Sequence, residues 1–269
     1  MTHKLHARMA DNGIENGPTL KPVQTILISQ PKPERSPFFA LADKHNVQID
    51  WRSFIHVEGL SDKEFRKNRV YPNDYSAVIF TSKNSIDHFF RLCEDMRISM
   101  SGETKWFCKS EVVSNYLQNF IIYRKRKVFA GQRTFKDLQP YLLKHRKNER
   151  FFLPNSNLGA KELTNFLDEN EFEYADAMMY RTVASDLSDL SDVKYDILVF
   201  YSPLGIKSLY ENFPDFEQGE TRIAVFGNST ARAVEAAGLT INIQAPTPGT
   251  PSMTMAIEKY VKEANKLNI

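Results

Sequence analysis

VIFTSKNSI at residues 78–86 and LVFYSPLGI at residues 198–206 have one shape. Three apolar residues run into a pair ending in serine, and the apolar spacing then becomes helical, with Ile86, Phe89, Phe90 and Cys93 on one face after the first stretch. The pattern recurs along the chain. Ile26-Leu27-Ile28 precedes a helix over 38–45 that has Pro37 in its first turn, and Phe151-Phe152-Leu153 precedes a helix carrying Leu163, Phe166 and Leu167. Ile223-Ala224-Val225-Phe226 is a further strand. Short buried strands alternating with amphipathic helices predict an α/β fold of parallel sheets with flanking helices.

The two stretches lie about 120 residues apart, and Phe107-Cys108-Lys109-Ser110 matches Phe226-Gly227-Asn228-Ser229 at nearly the same offset. The strand and helix over 26–47 echo those over 151–172. Matching segments in the same order make the chain two copies of one α/β unit. Residues 47–58 and 172–183 alternate like exposed strands and lack helical phase. They are expected to pair as a two-stranded linker, a hinge beside a cleft. The division follows: 1–22 a disordered polar tail; 23–48 with 184–269 one discontinuous lobe; 49–59 and 172–183 the linker strands; 60–171 the other lobe.

The chain has 269 residues with a net charge of +2, so no strong field points to nucleic acid. The dense basic run Arg124-Lys125-Arg126-Lys127 reads as a solvated strand edge. Cys93 and Cys108, in apolar company and with no basic cluster that would activate them, read as buried free thiols. No stretch approaches the roughly 18 apolar residues of a membrane helix, and the first residues lack the apolar core of a signal peptide. A cytoplasmic location is expected. His3, His6 and His45 show no ligand spacing.

In open α/β sheets, ligands bind beyond the carboxyl ends of the strands. Four polar groups fall there: Thr81-Ser82-Lys83-Asn84, Asn155-Ser156, Tyr201-Ser202 and Asn228-Ser229-Thr230. Such residues at helix starts act as N-caps, and with the free amides they can also hold carboxylates. No dinucleotide fingerprint, phosphate loop, His-Glu-x-x-His or Ser-His-Asp pattern is present.

Residues 78–86, 198–206 and 223–239 (IAVFGNSTARAVEAAGL) resemble the uroporphyrinogen-III synthase family, as do Tyr180-Arg181-Thr182-Val183 and the closing segment 245–260 (APTPGTPSMTMAIEKY). The resemblance runs from about residue 23 to 261. It implies two flavodoxin-like lobes joined by a two-stranded linker, and a hydro-lyase of tetrapyrrole biosynthesis (heme, cobalamin or siroheme). The substrate would be hydroxymethylbilane, a linear tetrapyrrole rich in carboxylates. It would close to uroporphyrinogen III with its terminal pyrrole ring inverted and water released. No cofactor and no metal are implied. A monomer is expected, with substrate handed over by hydroxymethylbilane synthase and no nucleic-acid or membrane partner.

Carried over by position, Tyr180 would assist departure of the hydroxyl. Thr81, Ser82, Ser202 and Thr230 would bind carboxylates, helped by the amides after Gly227, with Lys83, Asn84, Ser156, Asn228 and Ser229 alongside. Lys83 or Arg181 would supply positive charge. The chain departs from the family pattern at Glu111, where threonine is usual, at Ser53 in place of a proline, and at Gln30 in place of an arginine. Glu111 keeps open a member that binds a tetrapyrrole without turning it over. A two-lobed small-molecule-binding regulator is the remaining alternative, and no helix-turn-helix region supports it.

Overall fold

The computed structural model describes residues 21–190 and 192–266. Most of the expected N-terminal tail, 1–20, lies outside the described residues. In chain order the elements are β1 (Thr25–Ile28), α1 (Pro37–His45), β2 (Gln48–Trp51), β3 (Ile55–Gly59), α2 (Asp62–Phe65), β4 (Ala77–Phe80), α3 (Lys83–Asp95), β5 (Lys105–Cys108), α4 (Glu111–Leu117) and β6 (Val128–Ala130). There follow α5 (Phe135–His145), β7 (Phe151–Ser156), α6 (Lys161–Glu169), β8 (Tyr174–Ala184), β9 (Ile197–Phe200), α7 (Pro203–Asn212), β10 (Arg222–Phe226), α8 (Asn228–Ala236), β11 (Ile241–Ala245) and α9 (Met253–Lys266). The chain divides into two units, with boundaries at Phe54/Ile55 and Val183/Ala184.

The first unit holds a five-stranded sheet in the order β11-β10-β9-β1-β2. Its neighbouring strands are parallel, with Ile26 opposite Ile197 where β1 meets β9. Strand order reverses between β1 and β9, which makes that junction the sheet's topological switch point. The second unit holds a six-stranded sheet in the order β3-β8-β7-β4-β5-β6. Here β7 and β8 stand to β4, β5 and β6 as β1 and β2 stand to β9, β10 and β11, so its switch point lies between β7 and β4. The first sheet thus has flavodoxin-like order, and the second has the same spatial arrangement in circularly permuted chain order, with β3 added at one edge.

Both sheets are covered on two faces, and strand periodicity sorts the side chains between them. In β4, Val78 and Phe80 join the cluster under α3 and α4, while Ala77 and Ile79 join the cluster under α5 and α6. In β9, Ile197 and Val199 meet α1 and α9, while Leu198 and Phe200 meet α7 and α8. This is why those strands read as unbroken apolar runs rather than alternating ones.

The stretch over 47–58 is two strands in different sheets. β2 completes the first sheet and β3 lies beside β8 in the second. The break comes at 52–54, where Phe54 is buried in the first unit edge-on to Phe200, 5.7 Å between ring centroids. The break thus coincides with the burial of that ring in the first unit's core. The basic run also differs from expectation. Arg124, Lys125 and Arg126 are exposed in the turn before β6, but Lys127 is buried, with Nζ 2.7 Å from the Glu103 carboxylate. Cys93 and Cys108 are buried and free, and burial pushes both thiols up to about 12.

At Gly131 the backbone leaves no room for a side chain. A Cβ there would lie 2.6 Å from the Lys109 carbonyl oxygen and 2.8 Å from that of Thr134. Both are main-chain atoms and cannot turn aside. Gly131→Ala is expected to destabilise by about 1–3 kcal/mol in urea unfolding. Gly102→Ala, with no atom within 4 Å of the new methyl, is expected to stay within about 0.5 kcal/mol of the parent.

Candidate active site

The second unit gathers its polar residues around the β4–β7 switch point. Ser82 is the N-cap of α3, and its hydroxyl accepts from the Ser85 amide at 3.1 Å. Ser85 returns the interaction, accepting from the Ser82 amide at 3.2 Å, which completes a capping box. Capping uses one acceptor position of the Ser82 hydroxyl and leaves its proton free. That hydroxyl lies 3.4 Å from the phenol oxygen of Tyr180, a long contact in which either group can donate. Capping and a role toward ligand are therefore compatible in one residue.

Tyr180 reaches this position because of a register shift. Asn155 pairs with Met178 but Ser156 pairs with Tyr180, so β8 carries one extra residue, Met179. Simple alternation would put Ala175, Ala177 and Met179 on one face and Tyr180 on the other. The bulge brings Met179 and Tyr180 into the same cluster, under α3. Tyr180 is 6% exposed. Its ring stacks on His88 of α3, centroids 4.9 Å apart and planes within 16°.

Lys83 and Asn84, the first residues of α3, are exposed, and Thr81 is half-buried. Lys83 lies over the Tyr116 ring at 5.1 Å, and Tyr116 donates to Asp87 at 2.7 Å. Among the described residues Lys83 has no carboxylate partner. A cation at a helix N-terminus opposes the helix dipole and favours an anion close by. Arg181, the other expected source of charge, is committed to Glu64 at 2.5 Å, and that contact lowers the Glu64 carboxyl below its usual range. Ser156 ends β7 and starts a turn rather than a helix, accepting from the Leu158 amide at 3.2 Å. Asn155 beside it is buried and donates to Asp176 at 3.1 Å. Glu111 is exposed at the first position of α4 and pairs with no cation among the described residues.

In the first unit Ser202 caps α7, accepting from the Gly205 amide at 3.3 Å. The start of α8 is different. Its N-cap is Gly227, at φ +84, and no side chain caps the helix. A Cβ at Gly227 would touch nothing, so the backbone angle alone selects glycine. The Gly227 amide donates to the Ala245 carbonyl at 2.7 Å, and the first helical bond runs from the Ala231 amide to the Gly227 carbonyl at 3.1 Å. The amides of Asn228, Ser229 and Thr230 precede that bond, and those of the exposed Asn228 and Ser229 are open to an anion. The side chains of Asn228 and Ser229 are exposed. Thr230 is fully buried, and its hydroxyl has no hydrogen-bond partner. Thr230 as a whole is thus closed to solvent, unlike Asn228 and Ser229 before it. Beside Ser202, burial pushes the Tyr201 phenol up to about 12.

The structure brings Ser82 together with Tyr180, and places Ser156 opposite Tyr180 in the strand ladder. Sequence reasoning does not single out His88. Its only signal there is position, one and a half turns into the helix that follows VIFTS.

A two-unit α/β protein whose parallel strands deliver hydroxyls and open amides to helix N-termini is the class these features define. A family model described as HEM4, uroporphyrinogen-III synthase HemD, matches residues 40–255, and the chain belongs to that family. The uroporphyrinogen-III synthase of Chlorobaculum parvum (strain DSM 263 / NCIMB 8327) is 20% identical over 253 residues, covering 89% of this chain and all of that protein. Among solved structures, uroporphyrinogen-III synthetase from Helicobacter pylori 26695 is similar with a TM-score of 0.57 at 16% identity, over 89% of this chain and 99% of that one. A mutant uroporphyrinogen III synthase from Thermus thermophilus gives 0.54 at 15% identity, over 90% and 100%. At these identities the likeness carries the fold.

Burial, then the Arg91 guanidinium, hold the His88 imidazole below its ordinary 6.5, against the opposing pull of Asp87. The neutral ring's contribution to stability is therefore present above about pH 6.5 and lost as pH falls through the lower folded value, because the unfolded chain binds the proton first. Urea unfolding between pH 7 and pH 5 is expected to show stability falling with pH, and falling less steeply in His88→Phe. An NMR titration of His88 is expected to give a midpoint below 6.5.

Proposed function

We propose that this protein is a uroporphyrinogen-III synthase that closes hydroxymethylbilane with inversion of the terminal ring. Beyond family membership, the observation that carries the reading is the Tyr180 phenol beside the Ser82 hydroxyl at the end of a switch-point strand. In the proposed reaction the carbon–oxygen bond of the hydroxymethyl group breaks, and the oxygen leaves as water with an added proton. The cation left on the bilane is attacked by the substituted carbon of the terminal pyrrole. The spiro intermediate fragments and recloses with that ring inverted, and one proton is lost to restore the pyrrole. Net change is loss of water, so the chemistry is that of a lyase.

Hydroxide is a poor leaving group, and Tyr180 is the donor proposed to ease its departure. A phenol near neutrality acts by a positioned hydrogen bond more than by full proton transfer. Substrate carboxylates are proposed to be held by Thr81, Ser82, Lys83 and Asn84 at the start of α3, by Ser156, by Ser202, and by Gly227, Asn228, Ser229 and Thr230 at the start of α8. At α8 the working groups are the amides of Asn228 and Ser229, with Gly227 and Thr230 shaping the helix start, since the Gly227 amide is bonded to Ala245 and Thr230 is buried. At α4 the exposed Glu111 already sits where the helix dipole would attract a substrate anion, so that helix is not a proposed carboxylate site.

With freshly made hydroxymethylbilane, the purified protein is expected to give mainly the type III isomer. Type I product alone, as in the uncatalysed control, would sink the catalytic reading and leave a binding-only family member. Tyr180→Phe removes the hydroxyl and keeps the ring. It is expected to slow turnover about 10- to 1000-fold, with little change in melting temperature or product binding. Near-normal turnover in that variant would show that Tyr180 is not the donor.

A further inference from the structure

His88 has an unusual setting for a helix side chain. One face of its ring lies on Tyr180. Its Nδ1 is buried and has no hydrogen-bond partner. No acceptor faces Nδ1, so a proton there would be a buried donor without a partner, and no hydrogen bond at that nitrogen fixes the ring. Packing rather than hydrogen bonding therefore sets where the ring lies. The packing partner is β3, whose last residue is Gly59. A Cβ on Gly59 would come 2.8 Å from His88 Nδ1 and 2.6 Å from Arg91 Nη2. Arg91 is itself held by Nη2 donating to the Leu60 carbonyl at 2.6 Å and Nη1 to Asp95 at 2.8 Å. The bare backbone at Gly59 thus leaves the space in which the imidazole lies flat on Tyr180.

We propose that His88 is a positioning residue for Tyr180. Seated against Gly59, its ring holds the Tyr180 ring in the orientation that presents the hydroxyl to Ser82. The role assigned to Tyr180 in the reaction rests on the proposed function; the positioning itself does not. Tyr180 otherwise reaches Ser82 only through a contact of 3.4 Å, too long to fix a ring alone. The stack supplies the constraint that this weak contact lacks. A phenol turned away by even about 1 Å would lose its alignment with a departing hydroxyl.

Four proteins test this: the parent, His88→Ala, His88→Phe and Gly59→Ala. His88→Ala removes the stacked ring, and His88→Phe keeps a flat ring without nitrogen. Gly59→Ala leaves His88 in the sequence and displaces it. The atoms it crowds are the ends of side chains, so the fold is expected to survive. Two readouts are taken. The first is steady-state formation of type III product. The second is the aromatic NMR signal of Tyr180 in protein with labelled tyrosine and no substrate, assigned by its absence in Tyr180→Phe.

His88→Ala is expected to lower kcat about 10- to 100-fold with KM within about twofold, and His88→Phe to recover most of that loss. Gly59→Ala is expected to lower kcat in the same direction. The Tyr180 signal is expected to lose its ring-current shift in His88→Ala, keep a shift in His88→Phe and move in Gly59→Ala. An unchanged Tyr180 signal in both His88→Ala and Gly59→Ala overturns the proposal. So does a rise in KM at constant kcat, or a His88→Phe variant as slow as His88→Ala, which would make the imidazole nitrogen the needed group. If the parent makes no type III product, the proposed function fails, and the Tyr180 signal still decides the positioning. If His88→Ala does not fold, Gly59→Ala and His88→Phe give the answer.

Discussion

Parallel pairing is the constraint from which the rest of the structure follows. Two neighbouring strands can run the same way only if the chain crosses back over the sheet between them, and here a helix makes most of the crossings. Strands β4, β9 and β10 therefore deliver their carboxyl ends straight to the start of a helix. Helix starts leave amide groups unbonded. The same geometry that buries Val78–Phe80 and Leu198–Phe200 thus sets out open donors along one edge of each sheet. How each helix start is finished then decides its use. Ser82 and Ser202 cap with a hydroxyl that retains a proton to donate, Gly227 leaves the amides bare, and Glu111 brings a carboxylate of its own.

The second influence is a single added residue. The bulge at Met179 changes the phase of β8, so the chain presents Met179 and Tyr180 to one face in succession. Without it Tyr180 would face away from α3. Bulges re-aim side chains at modest cost, because only one ladder position is disturbed and pairing resumes beyond it. Here the re-aimed residue meets His88 and Ser82, both placed by α3. The proposed donor is therefore held by two elements that are far apart in sequence and joined through a strand irregularity.

Charge in the second unit is arranged with similar economy. Arg181 lies next to Tyr180 in sequence but is paired with Glu64. Lys83 stays exposed and without a carboxylate at a helix start, where an anion is most welcome. Lys83 thus differs from Arg181 in having no carboxylate already beside it among the described residues. The two cysteines play no part in this arrangement, since burial keeps their thiols protonated.

Much was legible from sequence alone. Apolar runs of four residues followed by a helical period define the α/β class, because strand length and the change of period depend on local backbone geometry. The repeat and the polar residues closing each strand follow from the same local patterns. The caps at Ser82 and Ser202 were legible too, since a cap is an interaction over three residues. What sequence could not supply was contact across the sheet. The break at 52–54 comes where Phe54 meets Phe200, a residue far along the chain. The phase of Tyr180 depends on its register against Ser156, and alternation along β8 alone points it the wrong way. Arg181 and Glu64 are far apart in the chain, and nothing local marks them as partners. His88 carries no motif, because its significance comes from a ring on another strand and a glycine on a third. Local periodicity determined the elements, and only tertiary packing decided which side chains meet, because register and bulges change side-chain direction without changing the residues that form a strand.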